Sequence, residues 1–281
     1  MILNPAARSA RARRTSERIS ALPRAKVQLT AAPGDARGLA AWGVENGFRT
    51  VVAAGGDGTI NEVVNGLAGS DVALGILPVG TMNVFAAELG LPTDLDAAWD
   101  LVMARSVRKI DLARAGEQYF VQLAGVGLDA QVVKETTWAS KKSFGPLSYL
   151  VSAAQIAARK PPQLVIESDG LAREGSFVLV GNGRYYGAPI KVFQNAQIDD
   201  GLLDVLIFKN TGYLDIARYL AGVFIGRHTE LADVDYFQTK KLRVHSAQDV
   251  PVEVDGELAG HLPVTFRISS RKLRVIAPAP A

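Results

Sequence analysis

Residues 51–66 read VVAAGGDGTINEVVNG, and this stretch decides the fold class of the first half of the chain. Four apolar residues predict a buried strand, and the helix predicted after residue 59 has its apolar residues at i, i+3, i+4 and i+7: Ile60, Val63, Val64 and Leu67. Between them lies Gly-Gly-Asp-Gly-Thr. Glycine costs about 0.5–1 kcal/mol relative to alanine in regular structure. The glycines therefore indicate either a tight turn or a phosphate held by amides at a helix N-terminus.

The glycine loop differs from two common phosphate-binding patterns. Its glycines, at positions 55, 56 and 58, do not fit Gly-x-Gly-x-x-Gly, and no Lys-Ser/Thr pair follows as in a P-loop. Asp57 is unexpected there, because a carboxylate repels phosphate unless a cation or a proton-transfer role accounts for it. Asp57 is therefore a candidate Mg²⁺ ligand or catalytic residue.

A second loop repeats this arrangement. Residues 75–86, GILPVGTMNVFA, predict a strand, a Pro/Gly turn and a helix, with Thr81 and Asn83 just before the helix. Threonine and asparagine are also ordinary helix caps, so capping is the alternative interpretation. Ligands bind at the carboxyl ends of parallel strands. Two such loops on adjacent strands would converge, which favours a polyphosphate ligand.

The periodicity changes near residue 110 and predicts two domains. Residues 1–112 alternate strand and helix patterns, which predicts an α/β domain with a parallel, Rossmann-like sheet. Residues 113–281 contain short β-rich segments separated by turn residues, typical of an antiparallel β-sandwich, and the final segment KLRVIAP is included among them. One helical insertion is predicted near 141–159.

Composition and charge limit the kinds of site and the cellular location that we expect. The 281 residues include no cysteine, which excludes disulfides and thiolate metal sites and suits a reducing cytoplasm. No apolar run reaches the roughly 18 residues that span a bilayer, and no signal peptide is evident. The net charge is +3, but residues 1–26 carry one acid, Glu17, against seven bases: Arg8, Arg11, Arg13, Arg14, Arg18, Arg24 and Lys26. We expect either a solvated helix face or attraction to an anionic surface.

The two loops, with further motifs in order along the chain, resemble the diacylglycerol kinase catalytic-domain family, which includes sphingosine, ceramide and bacterial lipid kinases. The other matching segments are NP at 4–5, Thr30 with PGDA at 33–36, GVGLDA at 125–130, KKSFGPLSYL, GNGRYYGAPIKVFQNAQIDDGLLDVLIF and VEVDGE at 252–257. The resemblance runs nearly the full length. It implies an NAD-kinase-like fold, ATP between two domains and a lipid hydroxyl as phosphoryl acceptor.

The resemblance and the two loops together assign residues to roles. Nucleotide contacts fall on Asn4, Thr30, Gly55, Gly56, Asp57, Gly58, Thr59, Ile60, Asn61, Glu62, Gly80, Thr81 and Asn83. The resemblance places the general base at Asp255 or Glu257 and a substrate contact at Asp129. It also implies a Mg²⁺ or Ca²⁺ site at Gln197, Asp200 and Leu202, in which residues 197 and 202 supply backbone carbonyls.

Asp255 and Glu257 admit two local structures. In a continuing strand, residues two apart face the same side, so both carboxylates could reach one site. Alternatively, Asp-Gly at 255–256 forms a hairpin turn with exposed acids. Beside two phosphate-type loops we favour the catalytic interpretation, with Asp57 as the third candidate acid.

The expected partners are a lipid substrate and an anionic membrane surface touched peripherally. Basic residues in 8–26 and at Lys141 and Lys142 support membrane contact, and the apolar segment 138–158 could line an acyl groove or be a core helix. No motif indicates nucleic-acid binding. A homodimer stays open. The competing functions are a soluble NAD-kinase-like enzyme and an inactive nucleotide- or lipid-binding protein.

Overall fold

The chain folds into two compact units. The computed structural model describes residues 1–5, 16–127, 130, 161–187 and 190–279. The first unit consists mainly of residues 1–112 and 269–281, and the second mainly of 113–186 and 190–268. The predicted helical insertion at 141–159 lies outside the described residues.

The first unit is built on one six-stranded sheet. Its strands, numbered along the whole chain, are β1 (Ile2–Leu3), β2 (Gln28–Leu29), β3 (Thr50–Gly55), β4 (Ala73–Pro78), β5 (Val107–Ile110) and β18 (Leu273–Ile276). They lie in the order β2-β1-β3-β4-β18-β5. All neighbours pair in parallel except β18 and β5, which are antiparallel. The predicted parallel α/β domain is confirmed.

Helices connect these strands, as the alternating strand and helix patterns predict. They are α1 (Asp35–Glu45), α2 (Asp57–Leu67), α3 (Val84–Glu88) and α4 (Leu95–Ala104), and residues 16–20 are also helical. The predicted apolar face of α2 is buried at all four positions, Ile60, Val63, Val64 and Leu67. Burial of that face fixes α2 against the sheet, and thereby the direction of the loop that precedes it.

Strand β18 corrects the predicted domain boundary at the C-terminus. We assigned KLRVIAP to the sandwich, but residues 273–276 pair with β4 and β5 in the first unit. Leu273, Val275 and Ile276 are buried there. Three apolar residues in a four-residue strand predict that it will pair, but they do not determine with which sheet.

The second unit is an antiparallel sandwich, as predicted. One sheet has the order β10-β9-β14-β17-β6-β7 and the other β13-β12-β11-β8-β15-β16. The strands are β6 (Ala113–Ala115), β7 (Gln118–Phe120), β8 (Leu123–Val126), β9 (Leu164–Ser168), β10 (Leu171–Gly175), β11 (Phe177–Gly181), β12 (Leu203–Phe208), β13 (Val234–Thr239), β14 (Lys241–His245), β15 (Pro251–Val254), β16 (Glu257–His261) and β17 (Val264–Ile268). Buried residues of both sheets, such as Phe120, Val180 and Phe266, form one core.

A helix that we did not predict covers the outer face of the second sheet. Helix α5 (Tyr213–Phe224) buries Tyr219 in an apolar cluster with Phe177 and Phe208, whose rings stack at 4.2 Å. A 3₁₀ turn follows at His228–Glu230. In the described part of the chain, no helix has the length and apolar character needed to cross a bilayer.

The packing of α1 on α2 gives a stability prediction with an internal control. A Cβ at Gly66 in α2 would lie 2.4 Å from the carbonyl oxygen of Arg37, whereas one at Gly38 in α1 meets nothing within 4 Å. We expect Gly66→Ala to lower the free energy of unfolding by about 1–3 kcal/mol through overpacking. Gly38→Ala should raise it by up to about 1 kcal/mol through helix propensity. Urea denaturation of both variants checks this, and equal effects would contradict the packing.

Candidate functional site

The glycine loop brings strand β3 directly into helix α2. Strand β3 ends at Gly55, Gly56 occupies the N-cap position with φ −92° and ψ −173°, and α2 begins at Asp57. A Cβ at Gly55 would lie 2.6 Å from the Cβ of Thr59, so this turn has no room for a side chain. Gly56 has no side chain to cap the first amides of α2. A helix start of this kind is suited to binding an anion.

The side chain of Asn83 stabilises the second loop through hydrogen bonds within that loop. The Oδ1 atom of Asn83 accepts a hydrogen bond from the Gly80 amide at 3.0 Å, and its Nδ2 atom donates to the Gly80 carbonyl at 3.0 Å. Asn83 stands at the N-cap position of α3 with φ +50°, but its side chain does not cap that helix. Asn83 therefore occupies the helix-capping position, as the alternative interpretation predicts, but its side chain bonds within the loop and does not cap α3. Thr81 is exposed beside it.

The two loops touch through their backbones. A Cβ at Gly80 would lie 2.4 Å from the Cα of Gly56, and one at Gly56 would lie 3.3 Å from the Cα of Gly80. Val79 also donates its amide to the Gly55 carbonyl at 3.2 Å. The predicted convergence of the loops is thus observed, and glycine at both positions permits it.

Asp57 joins the N-termini of two helices. It is the first residue of α2, and its Oδ1 atom accepts a hydrogen bond from the Phe85 amide of α3 at 3.4 Å. Burial raises the pKa of the Asp57 carboxyl above its ordinary value, although backbone amides of residues 83–85 and of Asp57 itself favour the charged form. The amides of α3 explain how an acid is tolerated inside a glycine loop.

Asn4, Thr30 and Thr59 lie at the same edge of the sheet. The Nδ2 atom of Asn4 donates to the Oγ1 atom of Thr59 at 2.9 Å. The amide of Asn4 bonds the Ala54 carbonyl of β3, and the amide of Thr30 bonds the Leu3 carbonyl of β1. Parallel pairing therefore places the residues that follow β1 and β2 beside the glycine loop.

Three of the predicted nucleotide contacts use their side chains structurally. The Glu62 carboxylate accepts hydrogen bonds from the amides of Gly34 at 2.8 Å and Ala36 at 3.0 Å, so it caps the start of α1. The side chains of Ile60 and Asn61 are buried. No local pattern indicates the bond between Glu62 and α1, because these groups are 26–28 residues apart along the chain.

In the second unit, Asp255 and Glu257 lie on a hairpin, so the continuing-strand alternative is wrong. Val254 pairs with Glu257 around Asp255 and Gly256, whose φ angles are +47° and +84°. Both oxygens of Asp255 accept backbone amides, from Val121 and Gln122 at 3.0 Å and from Leu123 at 3.1 Å. Asp255 therefore ties the hairpin to the loop before β8, while Glu257 is exposed.

The loop that the resemblance assigns to a metal presents side-chain oxygens at the surface. Asp200 accepts the Leu202 amide at 2.9 Å, and Gln197 and Asp200 are exposed. Next to it, burial and the charge of Asp200 raise the pKa of Asp204, against hydrogen bonds from Tyr236 and Gln238. Among the described residues no group of three or more His, Cys, Asp or Glu side chains could hold a metal. A cation here would rely largely on backbone oxygens, as the resemblance implies. Asp129 lies outside the described residues.

Asp57 gives a pH-dependent prediction. Its raised pKa means that ionising it costs folding free energy: the cost is absent below the unfolded-state pKa of 3.8 and complete above the folded-state pKa. Asp57→Asn should therefore gain stability relative to the natural protein as pH rises from about 3 to about 7.

Asp35 is the matched control, because the amides of Ala31 and Ala32 lower its pKa. The ionised Asp35 carboxylate stabilises the folded protein above pH 3.8, and this stabilisation is lost as pH falls. Asp35→Asn should therefore lose stability relative to the natural protein as pH rises. Urea denaturation across this pH range measures how the free energy of unfolding of each variant, relative to the natural protein, changes with pH. Slopes of the same sign would contradict the assignment.

Comparison with known proteins places the chain in a family. Residues 1–115 match the diacylglycerol kinase catalytic domain, and residues 122–277 match the YegS C-terminal NAD kinase beta sandwich-like domain. Proteins named diacylglycerol kinase from Staphylococcus saprophyticus and Staphylococcus aureus are each 32% identical over 87% of this chain, and 82% and 79% of their own lengths are covered. A crystal structure described as a diacylglycerol kinase from Bacillus anthracis matches 99% of this chain and 95% of its own, with 25% identity and a TM-score of 0.79. The chain belongs to the diacylglycerol kinase family.

Proposed function

We propose that this protein is an ATP-dependent kinase that transfers the γ-phosphoryl group to the hydroxyl of a diacylglycerol-like or sphingosine-like lipid. The observation that carries the proposal is the backbone contact between Gly56 and Gly80 at the carboxyl ends of β3 and β4. Two glycine turns in contact leave amides, rather than side chains, at the surface where phosphates would lie. The names of the relatives support a kinase acting on a lipid.

The residues around the loops suit a nucleotide in different ways. The amides of residues 56–59 would hold phosphate oxygens, and Asn4 with Thr59 would offer polar side chains beside them. Asp57 suits Mg²⁺, because a nearby cation favours the ionised form that burial opposes. Bound Mg²⁺ would neutralise phosphate charge, which is its usual role in phosphoryl transfer.

Of the two acids on the hairpin, we assign the general base to Glu257. The carboxylate of Asp255 already accepts three amides, so it is suited to holding the hairpin in place. Glu257 is exposed and can receive a proton from an acceptor hydroxyl. In that step the hydroxyl oxygen bonds the γ-phosphorus, the bond to the bridging β–γ oxygen breaks, ADP leaves and the proton passes to Glu257.

Reversible contact with an anionic membrane is part of the proposal, since the acceptor is a lipid. It rests on the basic residues between 8 and 26 and on Lys141 and Lys142. Of these, Arg18 is paired with Asp96 at 3.0 Å, whereas positions 8–14 and 141–142 lie outside the described residues. Cosedimentation with anionic vesicles at low and high salt tests the contact, which should weaken as salt rises.

Steady-state kinetics test the function and the base together. With diacylglycerol, sphingosine, ceramide or NAD offered as acceptor, we expect ATP consumption with a lipid. Glu257→Gln should lower kcat about 10²–10⁴-fold with little change in ATP affinity. Asp255→Asn should also lower the melting temperature, because three amides lose a charged acceptor.

Glu174→Gln is the matched control, since Glu174 is an exposed acid on β10 of the same unit. It should leave kcat unchanged. Turnover with NAD as the only productive acceptor would identify an NAD kinase instead of a lipid kinase. Absence of turnover with all four acceptors would contradict the proposed enzymatic activity. Full turnover in Glu257→Gln would show that another residue is the general base.

A further inference from the structure

A row of three cations crosses the outer face of the sheet that contains β14, β17 and β6. Lys241 lies directly opposite Arg267 on β17, and Arg267 lies directly opposite Arg114 on β6. The next residues along two of these strands, Leu242 and Phe266, are buried in the core. Because side chains alternate between the two faces of a strand, the three cations lie together on the face that points away from the core. We call these three residues the basic row.

The charges of the basic row are close enough to repel each other. Neighbouring strands lie about 4.8 Å apart, which is less than the Debye length of about 8 Å at physiological salt. Like charges directly opposite each other on neighbouring strands are destabilising. The row therefore lowers the stability of the free protein, and an anionic surface that neutralised it would remove this cost.

One acid neutralises part of the basic row. Glu117, in the turn between β6 and β7, forms an ion pair with Arg114. Lys241 and Arg267 are exposed and form no ion pair in the part of the chain that the structure describes. The same holds for Lys240, which directly precedes β14. Cations that are not neutralised locally are attracted to anionic lipid headgroups.

The basic row is bounded by a tyrosine on one side and by a neutral row on the other. Tyr119, on the edge strand β7, lies directly opposite Arg114, whose guanidinium carbon is 5.5 Å from the centre of the tyrosine ring. In the next row of the sheet, Arg243 lies opposite Glu167 at 3.9 Å. Tyrosine is enriched where an apolar phase meets water, as at a membrane surface. The excess positive charge is thus local and adjoins a residue type that suits a membrane interface.

The backbone connects the basic row to the hairpin of the proposed base. Tyr119 is two residues before Val121, whose amide donates to the Asp255 carboxylate at 3.0 Å. Asp255 belongs to the hairpin from which Glu257 extends. A membrane in contact with the row would therefore lie at the end of the second unit that carries Glu257.

We propose that the basic row, with Lys240 and Tyr119 beside it, is the surface through which the second unit docks on an anionic membrane. The ligands are the phosphates of anionic lipid headgroups, which Lys and Arg bind through charge-assisted hydrogen bonds. The proposal rests on the proposed function, because an enzyme whose acceptor is a lipid has to reach the bilayer. It adds a second contact to the one assigned to the basic residues between 8 and 26.

Cosedimentation of the full chain with vesicles, in the absence of nucleotide, tests this surface. The probes are vesicles of phosphatidylcholine and phosphatidylglycerol in equal parts, and vesicles of phosphatidylcholine alone. Lys241→Gln and Arg267→Gln should each lower the partition coefficient on the anionic vesicles about fivefold, and the double variant roughly 25-fold. The double variant should also melt about 1–3 °C higher than the natural protein, because a like-charge contact is removed. A purely structural role of these residues would instead lower the melting temperature.

Arg227→Gln is the matched control, because Arg227 is an arginine of the same unit that is 68% exposed but bonds Glu230 at 2.6 Å. It makes the same change in net charge and should bind anionic vesicles like the natural protein. Unchanged vesicle binding in the folded double variant, an equal loss in Arg227→Gln, or equal binding to both kinds of vesicle would overturn the proposal.

Two further outcomes separate this surface from other assignments. A protein that ignores vesicles but binds duplex DNA, and loses that binding in the double variant, would assign the basic row to nucleic acid and overturn the proposal. The expected losses in vesicle binding, in a protein that turns over none of the four acceptors, would support the docking surface while contradicting the proposed kinase activity.

Discussion

The close approach of Gly56 to Gly80 is the constraint on which the candidate site depends. A methyl group at position 80 would collide with backbone at position 56. The approach is possible because β3 and β4 pair in register, Gly55 opposite Pro78, so their loops leave the sheet side by side. Burial of the apolar face of α2 then holds the helix start against the second loop. Packing of the core and exposure of amides at the sheet edge are thus two consequences of one arrangement.

Asp57 adds an electrostatic consequence. The Asp57 carboxylate is half-buried at the starts of two helices. Amides of α3 stabilise its charged form and loss of water destabilises that form, and the loss of water raises the pKa above its ordinary value. The same position that makes the acid costly for the folded protein makes it responsive to a cation. The cost to stability and the proposed affinity for a metal-bound nucleotide therefore have the same physical origin.

Local periodicity was sufficient for much of the first unit. The strands at 50–55 and 73–78 and the helix at 57–67 follow from apolar spacing and turn residues. Contacts between distant parts of the chain could not be predicted from local patterns: β18 could pair with either sheet, and Glu62 bonds the start of a helix 26 residues away. Helix α5 was missed because much of its outward face is as apolar as its inward face. At Asp255-Gly256, the preference of Asp-Gly for hairpin turns predicts the observed structure, whereas the continuing-strand alternative does not.

The most direct measurement is ATP affinity, by isothermal titration calorimetry, in Gly80→Ala and in the control Gly38→Ala. The first substitution forces the two loops apart, and the second adds a methyl group that meets nothing within 4 Å. We predict that folded Gly80→Ala loses roughly tenfold or more in ATP affinity, while Gly38→Ala keeps the affinity of the natural protein. Natural ATP affinity in a folded Gly80→Ala protein would contradict a nucleotide site at these loops.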